Sequence, residues 1–192
     1  MLSNQQGGLL NQSALANALQ VRNPVLSTHL NFLEQAFLIR RLTPYYTNIA
    51  KRLIKTPKLY LRDTGVLHQL LRLYDISALF GHVAVGGSWA GYVIEQILPL
   101  LRYDQLPFFY RPADGAELDL VIESQGKIRL AVEIKLSDTP MLSKGTTIAL
   151  QDLGNPPLLV VTPSAAAHQL RQQVTVCAVA TLSDQLTKLL AD

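Results

Sequence analysis

Residues 110–137 read YRPADGAELDLVIESQGKIRLAVEIKLS, and the fold turns on how this stretch pairs with itself. Leu118, Leu120 and Ile122 alternate with Glu117, Asp119 and Val121, the period of two required of a strand with one buried face. Leu130, Val132, Ile134 and Leu136 alternate in the same way with Ala131, Glu133 and Lys135. Glu133 and Lys135 therefore leave one face of their strand, and Asp119 leaves the non-core face of the other. Whether the three meet depends on register, because a slip of one residue turns every side chain to the opposite face. A two-residue turn at Gln125-Gly126 sets Asp119 beside Val132 and buries its carboxylate among aliphatics, which is costly. A three-residue loop, Ser124-Gln125-Gly126, with Gly126 left-handed, sets Asp119 with Ala131, Glu133 and Lys135 instead; this is the predicted register.

Two carboxylates and a lysine on one patch have a definite chemical use. Magnesium and similar hard cations bind through one or two carboxylates and keep waters for chemistry and for substrate phosphates. An ammonium beside them stabilises developing negative charge or holds the attacking water. The plainer reading, a solvated strand face on which Glu and Lys pair with their neighbours, stays open on these residues alone.

Asp119 followed by Glu133-Ile134-Lys135 on the next strand resembles the core of the PD-(D/E)xK nuclease superfamily. The strand motif reads Ala116-Glu117-Leu118-Asp119 where the superfamily name has Pro-Asp. Longer strings, SWAGYVIEQIL, FYRPADGAELDLVIE, LAVEIKLS and NFLEQAFLIRRLTPYYTNIAKRLIKTPKLYLRDTGVLHQLL, are similar to the C-terminal domain that follows the ATPase module in many prokaryotic AAA-type ATP-binding proteins. The resemblance implies a restriction-endonuclease-like domain in which Asp119 and Glu133 hold magnesium or manganese and Lys135 serves catalysis. It also nominates Glu95, an acid on the first helix, as a further metal ligand; a plain helix-surface glutamate is the alternative.

Working outward, residues 107–111 form the strand before the hairpin, with Arg111 either a phosphate contact or an ion-pair partner. Ser88 caps a predicted helix from Trp89 to Leu100 whose stripe is Trp89, Val93, Ile97 and Leu100, with Gly91 leaving space beside Glu95. After the hairpin come a helix over 143–153, a strand over 157–162 that carries LLVVT, a helix over 164–173, a strand over 174–180 and a helix over 183–190. The apolar run at 158–162 suits a strand buried on both faces. Helix, three-strand meander, helix, strand is an αβββαβ core with a mixed central sheet, assigned to residues 65–192.

Residues 1–64 read as a winged helix-turn-helix. Asn11-Gln12-Ser13 offers capping side chains to one short helix, and Asn23-Pro24 opens a second carrying Val25, Leu26, Leu30, Leu33 and Phe37. Strands at 38–42 and 58–62 flank a basic loop over 48–57, and Asp63 opens a further helix. The second helix would present Ser27, Thr28 and Asn31 to a DNA groove. It has no Arg or Lys between Pro24 and Gln35, so a protein connector is the other reading. Residues 76–87 read as a glycine-containing loop.

Charge is uneven. Residues 22–62 hold eight Lys or Arg against the single acid Glu34, inside a chain of net +3. Such a footprint fits nucleic acid, or an acidic protein surface. No apolar run is long enough for a membrane span, and the N-terminus lacks a secretory pattern. The lone Cys177 sits in an apolar run as an inert thiol, and the expected compartment is the cytoplasm. No phosphate-binding G-x-x-x-x-G-K-[ST] loop is present, so this chain is not expected to bind ATP. The resemblance then implies an ATPase module upstream or in trans, the chain being a C-terminal piece or a shortened relative. The four histidines show no metal-ligand spacing. The expected function is divalent-metal-dependent phosphodiester cleavage, the alternative a catalytically silent module that binds nucleic acid or protein.

Overall fold

A computed structural model describes residues 1–46, 54–113 and 115–191. The basic loop predicted at 48–57 lies partly outside these residues, Lys51 and Arg52 included. The chain forms two compact units, Met1–Leu42 with Thr56–Tyr92, and Thr43–Lys55 with Val93–Asp192. The expected break at 64/65 is not where they divide. Leu67, from the helix after that point, is fully buried in one cluster with Leu10, Leu15, Leu30, Leu59 and Leu61, so that helix belongs to the first unit.

In the first unit, a 3₁₀ turn precedes α1 (Gln12–Ala18) and α2 (Asn23–Gln35). Of the three capping candidates at 11–13 it is Asn11 whose side chain accepts from the Ala14 N–H, at 3.0 Å. Strands β1 (Ile39–Leu42) and β2 (Lys58–Leu61) pair antiparallel. Asp63 caps α3 (Thr64–Leu71), accepting from the Val66 N–H at 2.9 Å. The predicted loop at 76–87 instead contains α4 (Ile76–Phe80) and the start of α5 (Val85–Ile97). Asp75 stops the first from being a loop by accepting the Ala78 N–H at 2.8 Å. Ser88 consequently lies inside α5 and caps nothing; its hydroxyl is 2.7 Å from His68 Nε2. The space foreseen at Gly91 is filled, since a Cβ there would stand 2.6 Å from Gln6 Nε2 and 3.1 Å from the Tyr60 ring.

The second unit is a mixed six-stranded sheet in the order β3-β4-β5-β6-β8-β7. Strands β3 (Leu106–Tyr110), β4 (Leu118–Ser124) and β5 (Lys127–Ile134) form an antiparallel meander. Then α6 (Lys144–Asp152) leads to β6 (Leu158–Thr162), which is parallel to β5. All five residues of β6 are buried, as its unbroken apolar run requires. The helix predicted at 164–173 is a strand, β7 (His168–Arg171), paired antiparallel with β8 (Val174–Ala178). Gln173, with φ at +61°, turns the chain back and makes a hairpin there rather than a helix. Strand β8 runs parallel to β6, and α7 (Leu182–Leu189) follows. Thr43 and Tyr45 exchange backbone hydrogen bonds with Phe109 on the outer side of β3, which is why 43–55 belongs to this unit.

One face of the sheet carries Val121, Ala131, Leu158, Val160, Val174 and Val176, in one buried cluster with Ala149 and Leu150 of α6. This is the face read from the sequence as non-core. It is a second core, closed by a helix.

Candidate functional site

The expected three-residue loop is not found, and Asp119 comes to the expected face in another register. Ser124 pairs with Lys127, so the turn is the two-residue Gln125-Gly126, with φ at +55° and +76°, both left-handed as a type I′ turn demands. Alone it would set Asp119 against Val132. However, Glu123 pairs with Ile128 while Ile122 pairs with Leu130, leaving Arg129 as an extra residue in β5. This bulge shifts the ladder by one. Leu120 then faces Val132, and Asp119 falls opposite Glu133.

The three hairpin residues expected to meet do so. Lys135 Nζ lies 2.6 Å from Glu133 Oε1, and Asp119 Oδ2 accepts the Ile134 N–H at 2.9 Å. Glu133 is only 5% exposed. From α6, Thr146 Oγ1 donates to the same Glu133 Oε1 at 3.3 Å, and Ser143 Oγ lies 2.9 Å from Thr146 Oγ1. Burial first, and the Asp119 charge second, push the Glu133 carboxyl up to about 7, with Lys135 and Thr146 pulling against them. Burial acts to lower the Lys135 ammonium, but its hydrogen bond to Glu133 and the charges of Glu133, Asp119 and Glu117 outweigh that and raise it.

Glu95 is partly buried on α5, in the same unit. Among the described residues no three His, Cys, Asp or Glu side chains form a group able to hold a metal, so Glu95 does not complete a set with Asp119 and Glu133 here. Arg111 pairs with Glu117 at 3.3 Å, the ion-pair role of its two readings. Burial, more than the facing Asp119 charge, forces Glu133 toward its neutral form, and two carboxylates are the number a hard divalent cation can use when water fills its remaining positions.

Ser143 and Thr146 escaped the sequence reading. Ser-x-x-Thr at the start of a helix signals a cap and nothing more. The aliphatic Val121 and Ala131, on a face otherwise holding Asp119 and Glu133, were the hint that something covers that side.

In the first unit the three side chains expected to read DNA are already engaged. Ser27 Oγ accepts a short hydrogen bond from Gln12 Nε2, Thr28 Oγ1 donates to Pro24 O at 3.1 Å, and Arg41 Nη2 donates to Asn31 Oδ1 at 2.7 Å. Arg41 also pairs with Glu34, and the Arg62 guanidinium lies 5.2 Å from the centre of the Phe37 ring.

Fold and site together define a mixed α/β domain with a carboxylate pair and a lysine at the end of a hairpin. The chain belongs to the family described as Domain of unknown function (DUF4143), whose model matches residues 85–182. This family is found in AAA-ATPase-associated proteins. Residues 1–77 match a second family, Domain of unknown function (DUF8612). The uncharacterised proteins Mb2031c of Mycobacterium bovis and Rv2008c of Mycobacterium tuberculosis are each 38% identical over 179 residues. The match takes in 93% of this chain but only 40% of theirs. A solved assembly of Thermococcus gammatolerans McrB AAA+ hexamers with bound McrC is 7% identical, covering 92% of this chain and 68% of that one at a TM-score of 0.35, too low to define a shared fold. No helix among the described residues is long and apolar enough to cross a membrane.

Proposed function

We propose that the second unit is a restriction-endonuclease-like domain that hydrolyses phosphodiester bonds with magnesium or manganese held by Asp119 and Glu133. One observation carries this reading: the bulged register sets Asp119 across from Glu133, with the Lys135 ammonium 2.6 Å from the Glu133 carboxylate. The order α5, β3-β4-β5, α6, β6 supports it, being the αβββαβ order of such cores. The cation, when bound, activates a water and offsets charge on the phosphoryl oxygen. The rest falls to the chain's own groups. Asp119 is fixed by the Ile134 N–H, and Lys135 carries the positive charge needed beside a phosphate oxygen. In the reaction a water oxygen bonds to phosphorus and the ester oxygen leaves as an alcohol. Glu95 acts as an outer acid, through water rather than as a direct third ligand.

The first unit is a winged helix-turn-helix used as a connector. Its engaged Ser27, Thr28 and Asn31 favour that role over base reading, while nucleic acid is met through backbone contacts with the basic region 22–62. The whole protein works in the cytoplasm beside an ATPase module upstream or in trans, and this chain itself does not bind ATP.

Lys135→Ala tests the chemistry. It is expected to lower divalent-dependent cleavage of labelled DNA or RNA by at least about 100-fold, the cost of losing one preorganised charge donor. Unchanged cleavage removes Lys135 from the mechanism. A wild type that neither cleaves nor binds manganese leaves the silent binding module.

A further inference from the structure

We infer that Thr146, backed by Ser143, is a positioning residue that fixes the plane of the Glu133 carboxylate and so aims its second oxygen at the cation; this rests on the metal-site reading above. The hydrogen bonds run in one direction. The Thr146 N–H donates to Ser143 Oγ at 3.0 Å, the ordinary bond of a helix N-cap. The Thr146 hydroxyl donates its one proton to Glu133 Oε1 at 3.3 Å, the direction required once that carboxyl is ionised to hold a cation. The 2.9 Å contact between the two hydroxyls must then be Ser143 donating to Thr146. The chain therefore runs from Thr146 N–H to Ser143 Oγ, on to Thr146 Oγ1, and ends on Glu133 Oε1, with no group left to choose its direction.

Lys135 Nζ takes hold of that same oxygen at 2.6 Å. With Thr146 and Lys135 both on one oxygen, the carboxylate plane cannot tilt away from this orientation without weakening both bonds. Oε2 takes no hydrogen bond from a described residue and is not sealed from solvent, the side chain keeping 7% of its exposure. It is the oxygen offered to a cation. Thr146 itself is 1% exposed, so water cannot replace its hydroxyl without the helix moving. The arrangement departs from the usual capping box. There, the third residue of the helix turns its side chain back to the cap. Here the residue in that position turns its hydroxyl across to β5, so the start of α6 is fastened to the site by the same atoms that begin the helix.

The test compares wild type, Thr146→Val and Thr146→Ser, each checked by thermal melting, with manganese titrated calorimetrically and crystal structures read at Glu133. Valine keeps the shape and removes the donor; serine keeps the donor. Thr146→Val is expected to weaken manganese binding by about 10- to 100-fold, the usual effect of removing an outer partner of a metal ligand, with serine restoring most of it. Its Glu133 carboxylate is expected to rotate off the orientation seen in wild type. If Thr146→Val binds manganese like wild type and keeps the Glu133 orientation, the inference is overturned. If the wild type binds no manganese, the metal reading falls instead. The Glu133 orientation in the valine variant then still judges Thr146: rotation supports its positioning role and an unmoved carboxylate refutes it.

Discussion

Glu133 is pulled both ways. Its folded pKa of about 7 stands above the ordinary 4.5, chiefly because it is buried and then because Asp119 faces it. The folded state thus holds a proton that the unfolded chain has released between those values. The stability tied to that proton is full below about pH 4.5 and is lost as pH rises through 7. In urea unfolding, Glu133→Gln is expected to gain on wild type by about 3 kcal/mol between pH 4 and pH 8. A constant difference across that range refutes the shift. Cys177 is simpler: burial alone pushes its thiol up to about 11. Ellman's reagent should find no thiol in the native protein and one after denaturation. Asp119, Glu133 and Lys135 were legible in the sequence because strand alternation assigns each to a face. Thr146 was not, because a hydroxyl 13 residues away from its carboxylate carries no pattern of its own.

The hairpin shows what alternation leaves out. Sequence periodicity located both strands, but the one-residue offset depends on where the chain inserts Arg129, and a bulge of this kind carries no fixed residue signature. Deleting Arg129 should regularise the ladder while leaving Leu120 against Val132 and Asp119 opposite Glu133, so manganese binding is expected to survive the deletion. Loss of manganese binding in that variant would show that the bulge itself, and not only the pairing it leaves, places the two carboxylates. At the turn, Gln125 holds φ at +55° without the tolerance of asparagine for that region. Gln125→Asn is expected to stabilise the domain by about 0.5 kcal/mol in thermal or urea melts. The misread β7 has the same origin as the bulge. Residues 164–173 satisfy a helical pattern locally, and only pairing with β8 makes them a strand.

At the scale of the molecule, each unit has its own buried cluster, and the family matches at 1–77 and 85–182 leave a gap inside the stretch first read as a loop. That chain order was readable; the return of residues 43–45 to the edge of β3 was not, being a contact across more than sixty positions. The connector reading of the first unit makes a measurable claim. Ser27→Ala, Thr28→Ala and Asn31→Ala combined should change nucleic-acid affinity less than about threefold, whereas lost base contacts cost about 1–3 kcal/mol each. A sequence-dependent loss of that larger size would restore the DNA-reading helix.

The outer rims of the large sheet have a consequence for behaviour in solution. On one side Thr43 and Tyr45 already occupy the hydrogen-bonding positions of Phe109, and Pro107 has no amide proton to offer. On the other, β7 is only four residues long, exposed at each of them, and bears Arg171. Neither rim gives a neighbouring chain a long flat template, so the sheet resists stacking strand upon strand into aggregates however apolar its interior.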